Sequence, residues 1–417
     1  MSTKQSGQNK LHLILILGLL AAIGPFSIDM YLPAFPDIAK TLNTSVSSVM
    51  LSLSSFFIGI SVGQLIYGPL LERFGRKKPL YVGLTIYAIA SLACATTLSV
   101  NGLIVYRLFQ ALGGCVGMVA SRAMVRDLFD VKDNAKVFST LMLVIAVSPI
   151  VAPTLGGYLT AYLGWRYIFG VLITIISIIL AGVYFLLPES KQPDTSFSLK
   201  PAAIFNSFAT IIKNPQFIIY TLTGSLTAAA LYAYISGSPY VFMVLFKVSE
   251  KHYGWIFAII AAGLIGASQF NSLLLKKYKS EQVMRCGIYI QSTIGIILVV
   301  LSVLNIQELY ITIALIFAFL GCQGCIFPNA SALSMAPFGH NAGSASALMG
   351  FLQMSIGALM SALVSVFQNG TSLPMTGIMA FCTLSAATLY TFGSKRITNN
   401  TTKEMVEEEE IEMVSTL

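Results

Sequence analysis

The sequence predicts an all-α membrane protein of twelve transmembrane helices in two six-helix halves. Three observations carry this. Of 417 residues, 56% are hydrophobic and only 10% charged, against about 25% charged in soluble domains, and mean hydropathy is +0.78. Twelve apolar runs follow one another, each near the roughly 20 residues that a bilayer-spanning helix needs. The lysines and arginines fall almost wholly on one side of those runs.

The runs are 11–33, 46–70, 79–97, 101–121, 137–160, 165–187, 217–245, 254–275, 284–304, 309–330, 343–366 and 374–393. The first is longer than the roughly 7–15 apolar residues of a secretory signal, and no small-residue cleavage site follows it. It is read as a retained helix. Outer loops hold only Lys40, Arg166, Lys247 and Lys251. The other basic residues, Arg107 apart, lie in inner segments such as Arg73–Lys78, Arg122–Lys136 and Lys276–Arg285. This bias places both termini in the cytoplasm. It also explains the net charge of +8 as topology and argues against a nucleic-acid surface.

The connection 188–215 is the longest and is polar. It divides the chain into a first half, 1–190, a linker, 191–213, a second half, 214–393, and an acidic tail, 394–417, of which Glu404–Glu412 is expected to be solvated and unstructured. Leu70-Leu71-Glu72-Arg73-Phe74 after the second run is echoed by Leu274-Leu275-Lys276-Lys277-Tyr278 after the eighth, a weak internal repeat of parallel halves. The six cysteines lie in or beside apolar runs and read as small hydrophobes. Cys322-Gln-Gly-Cys325 lacks the βαβ setting of a redox motif. His12, His252 and His340 sit at run ends or in loops.

Placing every charge leaves one acid, Asp29, and one base, Arg107, inside the runs. A carboxylate within a membrane helix costs roughly 2.5–3.5 kcal/mol on insertion scales and marks a functional site by default. Counting about 1.5 Å per residue puts the two at similar depth in the outer half. Either Asp29 binds a proton or a cationic substrate with Arg107 tuning its affinity, or the two form a static ion pair, or Asp29 is wet and caps a loop. The second half offers Ile235 at the corresponding position, counted back from Pro239 as Asp29 is from Pro33.

Gly68-Pro-Leu-Leu-Glu72-Arg73-Phe-Gly75-Arg76-Lys77-Lys78 joins runs two and three. Gly68 permits close helix approach, Pro69 and Gly75 punctuate the turn, and Glu72 can pair with the basic cluster or cap a helix N-terminus. This stretch resembles the signature loop of the major facilitator superfamily, which favours Asp where Glu72 stands. Run five carries Ser148-Pro149-Ile-Val-Ala-Pro153-Thr-Leu-Gly156-Gly157 and resembles that family's antiporter motif, a kinked helix sealing one half against the other. With Asp29-Met-Tyr-Leu-Pro33, Arg107-Leu-Phe-Gln110, Ser236-Gly-Ser-Pro-Tyr240 and Phe327-Pro-Asn329, the chain resembles the Bcr/CflA multidrug efflux subfamily over nearly its whole length.

The resemblance implies a major facilitator fold working by alternating access in a bacterial inner membrane. It implies proton-driven export of small organic molecules, with the proton gradient as energy source and no cofactor, and a monomer in the bilayer. Glu72, Arg73, Arg76 and Asp127 are then expected to form an inner charge cluster holding the outward-facing state. A substrate site is expected near the midplane, with Tyr31, Gln64, Gln110, Tyr232, Tyr234, Ser236, Asn329 and Gln353 as candidate lining. Proton-coupled uptake of a nutrient is the alternative. Enzymatic function is not expected: the chain lacks H-E-x-x-H, G-x-S-x-G, a Walker A loop and metal-spaced His/Cys sets.

Overall fold

The structure is a computed structural model and describes residues 7–129, 131–194, 208–338 and 342–415. Its architecture is a bundle of twelve helices, each long and apolar enough to cross a membrane. In chain order they are α1 (Gly7–Asp29), α2 (Val46–Phe74), α3 (Lys77–Thr96), α4 (Val100–Leu128), α5 (Val131–Leu163) and α6 (Arg166–Phe185), then α7 (Pro215–Pro239), α8 (Glu250–Leu274), α9 (Ser280–Val303), α10 (Leu309–Met335), α11 (Ala342–Val366) and α12 (Leu373–Ser415). Twelve crossings bring the first and last helices to one side, called here the terminal side. The other is the far side.

Local sequence sets the helix starts. Ser45, Ser99 and Ser249 accept hydrogen bonds from the backbone N–H groups of Ser48, Gly102 and His252, capping α2, α4 and α8. Asn214 caps α7 in the same way, with Pro215 at the first helical position. In the first half α4 is the hub on which α1, α2 and α3 pack. In the second half α7 packs on α10, α11 and α12, while α8 and α9 both rest on α10. Two seams join the halves, α2 against α11 and α5 against α8.

Three sequence expectations are corrected. The first span does not run straight through to residue 33: α1 ends at Asp29, a 3-10 turn covers Leu32–Ala34, and a short helix covers Phe35–Thr41. Pro33 and Pro36 lack the N–H groups that a continuous helix would use. Helices also overrun the apolar runs on the terminal side, so Glu72, Arg73, Arg122, Arg126 and Asp127 ride on the ends of α2 and α4. Finally, the acidic tail is not unstructured through residue 415, because its backbone continues α12 to Ser415. Glu, Met and Lys are strong helix formers, and propensity prevails where net charge alone suggested coil. Of the expected linker, 195–207 lies outside the described residues.

The corresponding far-side ends of α1 and α7 are both broken. Beyond Pro239, α7 passes into a π-helical turn, Tyr240–Leu245. Such turns recur at functional sites, and helix breaks at matching positions of two repeats point to where a transporter binds its cargo.

Candidate functional site

Among the described residues only Asp29, Arg76 and Arg107 are both charged and buried. Arg107 is fully buried on α4. Its Nη1 donates to Gln110 Oε1 at 2.7 Å and its Nη2 to the Ser27 carbonyl at 3.0 Å. The guanidinium lies between two rings, 4.1 Å from the Phe56 centroid and 4.4 Å from that of Tyr31. Each supporting group is itself fixed. Gln110 donates to Ser91 Oγ, the Tyr31 hydroxyl bonds Ser52 Oγ, and Ser27 Oγ bonds the Tyr87 hydroxyl. Arg107 is therefore clamped by α1, α2 and α3, with no carboxylate in the clamp.

Asp29 closes α1 and is 5% exposed. It makes no ion pair with Arg107, nor any hydrogen bond through its side chain among the described residues. The static ion pair is absent from this conformation. Asp29 is instead within electrostatic reach of Tyr234 on α7 and Tyr253 on α8, across the seam between the halves. A buried charge without a partner is expensive by several kcal/mol. A carboxyl group so placed gains from taking up a proton or a cation, and the α1 C-terminus offers it no compensating dipole.

The far side is closed by backbone contact. A Cβ on Gly156 would strike the Met30 carbonyl, and one on Gly157 the Glu250 carbonyl. Gly254 of α8 meets the backbone of Pro153 and Thr154 in return. Pro149 and Pro153 lie within the helix α5, which packs against both α1 and α8. Along the second seam runs a ladder that sequence reasoning missed: Ser54 Oγ to Ser361 Oγ at 2.8 Å, Ser61 Oγ to Ser355 Oγ at 2.7 Å, and Ser61 to the Phe351 carbonyl at 3.2 Å. A Cβ on Gly350 would strike the Gln64 amide. Beyond these contacts the helices part, for a Cβ on Gly68 of α2 or Gly343 of α11 would meet no atom within 4 Å. The conformation is closed on the far side, while α2 and α11 lack such close contacts at Gly68 and Gly343 toward the terminal side.

Of the eight candidate lining residues, three sit half-buried at the seam. Gln64 faces α11, Tyr232 packs its ring 4.7 Å from that of Phe57, and Gln353 is half-buried on α11. The other five are built into the halves. Tyr31 and Gln110 belong to the Arg107 clamp. Tyr234 stacks on Phe257, Ser236 donates to the Ser361 carbonyl, and Asn329 donates to Asn271 Oδ1 and the Cys325 carbonyl. In this conformation the polar groups of four of the five bond neighbouring groups in the bundle, while the buried Tyr234 hydroxyl has no hydrogen-bond partner among the described residues.

The terminal-side cluster is assembled around Arg76, 2% exposed. Its Nε donates to Asp127 at 2.8 Å and its Nη1 to Glu72 at 3.0 Å, while Lys191 also pairs with Glu72. Burial opposes the Arg76 charge, but Asp127 and Glu72 outweigh it and hold the guanidinium above its usual value. Arg73 donates to the Asp194 carbonyl. Gly75 has φ +80°, a conformation that favours glycine, and lets Glu189 approach. The Glu189 carboxylate accepts from the backbone N–H groups of Arg76 and Lys77 at 2.7 and 3.1 Å. Of the two roles open to Glu72, it pairs with the basic cluster, and capping of α3 falls to Glu189, a residue singled out by no motif. An acid one turn beyond α6 on the side of the basic loop was the available signal. The cluster ties α2, α3 and α4 of the first half to the segment after α6, including Lys191 and Asp194 at the start of the linker. Gly68 stands apart from it.

These features define a polytopic transporter: two helical halves, a seam sealed on one side, and one uncompensated acid and one clamped cation beside it. Residues 17–362 match the major facilitator superfamily profile, and the chain belongs to that family. It is 33% identical to the "Uncharacterized MFS-type transporter YdgK" of Bacillus subtilis over 93% of this chain and 96% of that protein. It is 31% identical to the "Bicyclomycin resistance protein homolog" of Haemophilus influenzae over 92% and 96%, which fits the Bcr/CflA resemblance. It is 30% identical to "Multidrug resistance protein D" of Escherichia coli over 89% and 91%. Among solved structures, a mutant of the nucleoside transporter NupG superposes with a TM-score of 0.72 at 16% identity, over 92% of this chain and 99% of that one, a likeness of fold. The chain is accordingly a multi-pass membrane transporter and not an enzyme.

Proposed function

We propose that this protein is a proton-coupled antiporter that exports small organic molecules across a bacterial inner membrane by alternating access. The observation that carries the reading is Asp29, a buried carboxyl group with no hydrogen bond or ion pair among the described residues, set where α1 breaks and facing the second half across the far-side seam. Drug-resistance names among the relatives support export. The lysine and arginine bias supports a cytoplasmic terminal side.

In the conformation described, the opening faces the cytoplasm and admits the cargo. Neutral Asp29 is compatible with the closed far-side seam. When the far side opens, water reaches Asp29 and it exchanges its proton with the outer solution. Arg107, bonded to the Ser27 carbonyl two residues before Asp29, fixes the end of α1 on which Asp29 sits. On the outer side Asp29 takes up a proton as cargo leaves; once the opening faces the cytoplasm again, arriving cargo displaces that proton to the inside, so each cycle carries a proton in and cargo out. The Arg76 cluster keeps the first half a rigid body while α2 and α11 part or meet at Gly68. Because the coupling acid belongs to the protein, the transporter requires no cofactor, and one chain holds every part of the cycle.

The test is transport in proteoliposomes under an imposed pH gradient. The wild type is expected to move a cationic dye against its gradient, and Asp29→Asn is expected to lose gradient-driven transport while retaining dye binding. Full proton-coupled transport by Asp29→Asn would contradict the assignment. Accumulation of cargo with inward-moving protons on the same side would indicate nutrient uptake instead.

A further inference from the structure

The repeat that pairs Leu70–Phe74 with Leu274–Tyr278 is inverted in charge. Where the first half has Glu72, the second has Lys276. In the first half the loop's Arg76 is neutralised by Glu72 and Asp127, and Glu189 caps the next helix. In the second half Lys276, Lys277, Lys279 and Arg285 are exposed and form no ion pair with a described side chain. Glu281 is the one acid between residues 274 and 290, and the end of α10, Ala332–Phe338, has none.

Arg285 lines a groove, and the three lysines flank Tyr278, which lines it too. α8 and α9 rest on α10 rather than on each other. Between them lies a cavity of about 590 Å³, lined at the mouth by Tyr278, Gln282 and Arg285 and along the floor by Ile290, Ala318 and Gly321. Its size falls in the roughly 300–1,000 Å³ range of small-molecule sites. From Gln282 to Ile290 it climbs α9 by about 12 Å at 1.5 Å per residue, close to the roughly 15 Å of one leaflet's hydrocarbon, half of about 30 Å. The floor is open rather than collapsed: a Cβ on Gly321 would find its nearest atoms at 3.9 Å.

We propose that this groove is a binding site for an anionic glycerophospholipid of the cytoplasmic leaflet. Its phosphate is taken by Arg285 and the lysines of the 276–279 turn, and an acyl chain lies along α10 over Gly321. The lipid supplies the counter-charge that Glu72 and Asp127 supply in the first half. Only the choice of leaflet rests on the orientation given under Proposed function.

The experiment is native mass spectrometry of the purified full chain with phosphatidylglycerol or phosphatidylethanolamine of identical acyl chains, and with glycerol phosphate as headgroup alone. Phosphatidylglycerol is expected to be retained about tenfold or more over phosphatidylethanolamine, since basic residues at a membrane surface favour anionic lipid. The quadruple variant Lys276→Gln, Lys277→Gln, Lys279→Gln, Arg285→Gln is expected to lose that preference. Gly321→Leu, which fills the floor while leaving the charges, is expected to lose retention of phosphatidylglycerol, and a chain ending at residue 394 to keep it. Equal retention of the two lipids, a preference that survives the quadruple variant, or glycerol phosphate binding as well as the lipid would overturn the proposal. So would a several-fold rise in retention when the acidic tail is removed, since the tail would then be the occupant. Proton coupling is not read in this measurement, so its failure and that of the antiport reading are separate results.

Discussion

Arg107 and Asp29 are the two costly residues, and they are costly in different ways. Arg107 is a cation whose two terminal nitrogens are hydrogen-bonded and whose plane lies between two rings inside one half, while its Nε is left without a partner among the described residues. Asp29 is a carboxyl group left for the solvent of one conformation. Arg107→Lys should therefore damage function without unfolding the protein, because an ammonium cannot reproduce two fork hydrogen bonds and two ring faces. The expected result is normal yield and monodispersity with strongly reduced gradient-driven transport; wild-type transport would assign Arg107 a packing role. Both residues were legible in the sequence, by elimination of every other charge. Their separation was not, because residue spacing gives depth along a helix and says nothing of the face that a helix turns to its neighbour. Glu189 is a second lesson. It lies outside every apolar run, and only the fold brings it to the α3 N-terminus. Glu189→Gln should cost about 0.3–1 kcal/mol of stability through lost charge at that terminus, seen as a small drop in melting temperature; no change would remove it as a cap.

Among the elements, α5 shows how motif and packing differ in what they reveal. Its prolines and glycines announced a special helix, but not that Gly156 would rest on the Met30 carbonyl and Gly157 on that of Glu250. Those contacts join α5 to α1 and to α8, so a side chain there acts on the far-side seal. Gly156→Val should cost about 1–3 kcal/mol by overpacking and bias the protein away from the closed seal. Labelling of a cysteine introduced beside Asp29, in a cysteine-free background, should then rise from the far side. Unchanged labelling would contradict the seal. The serine ladder between α2 and α11 was invisible in sequence, since serine in a membrane helix can equally bond its own backbone. Each such interhelical bond averages about 0.6 kcal/mol, weak enough to part and re-form in a cycle. Loss of all three, in Ser54→Ala with Ser61→Ala, should leave the protein folded and shift its preferred state by about twentyfold at most.

For the whole molecule, the charge bias, the twelve runs and the repeated loops made the class of fold readable before any coordinates. The asymmetry between halves was half-readable. The loss of an acid at Ile235 and the replacement of Glu72 by Lys276 stand in the sequence, whereas the open groove beneath Lys276 appears only once α8 and α9 are seen to lean on α10. One half therefore carries both buried acid and clamped cation, and it packs its terminal-side charges internally. The other half presents its charges outward. The division predicts that coupling mutations concentrate in residues 7–194 and lipid-dependence mutations in residues 208–338. The most direct test of the central claim is proton movement itself. Proteoliposomes carrying wild-type protein should acidify inside or outside in step with cargo movement in the opposite direction, and Asp29→Asn should move cargo only down its own gradient with no proton flux. Coupled proton flux through Asp29→Asn equal to that of the wild type would contradict the account.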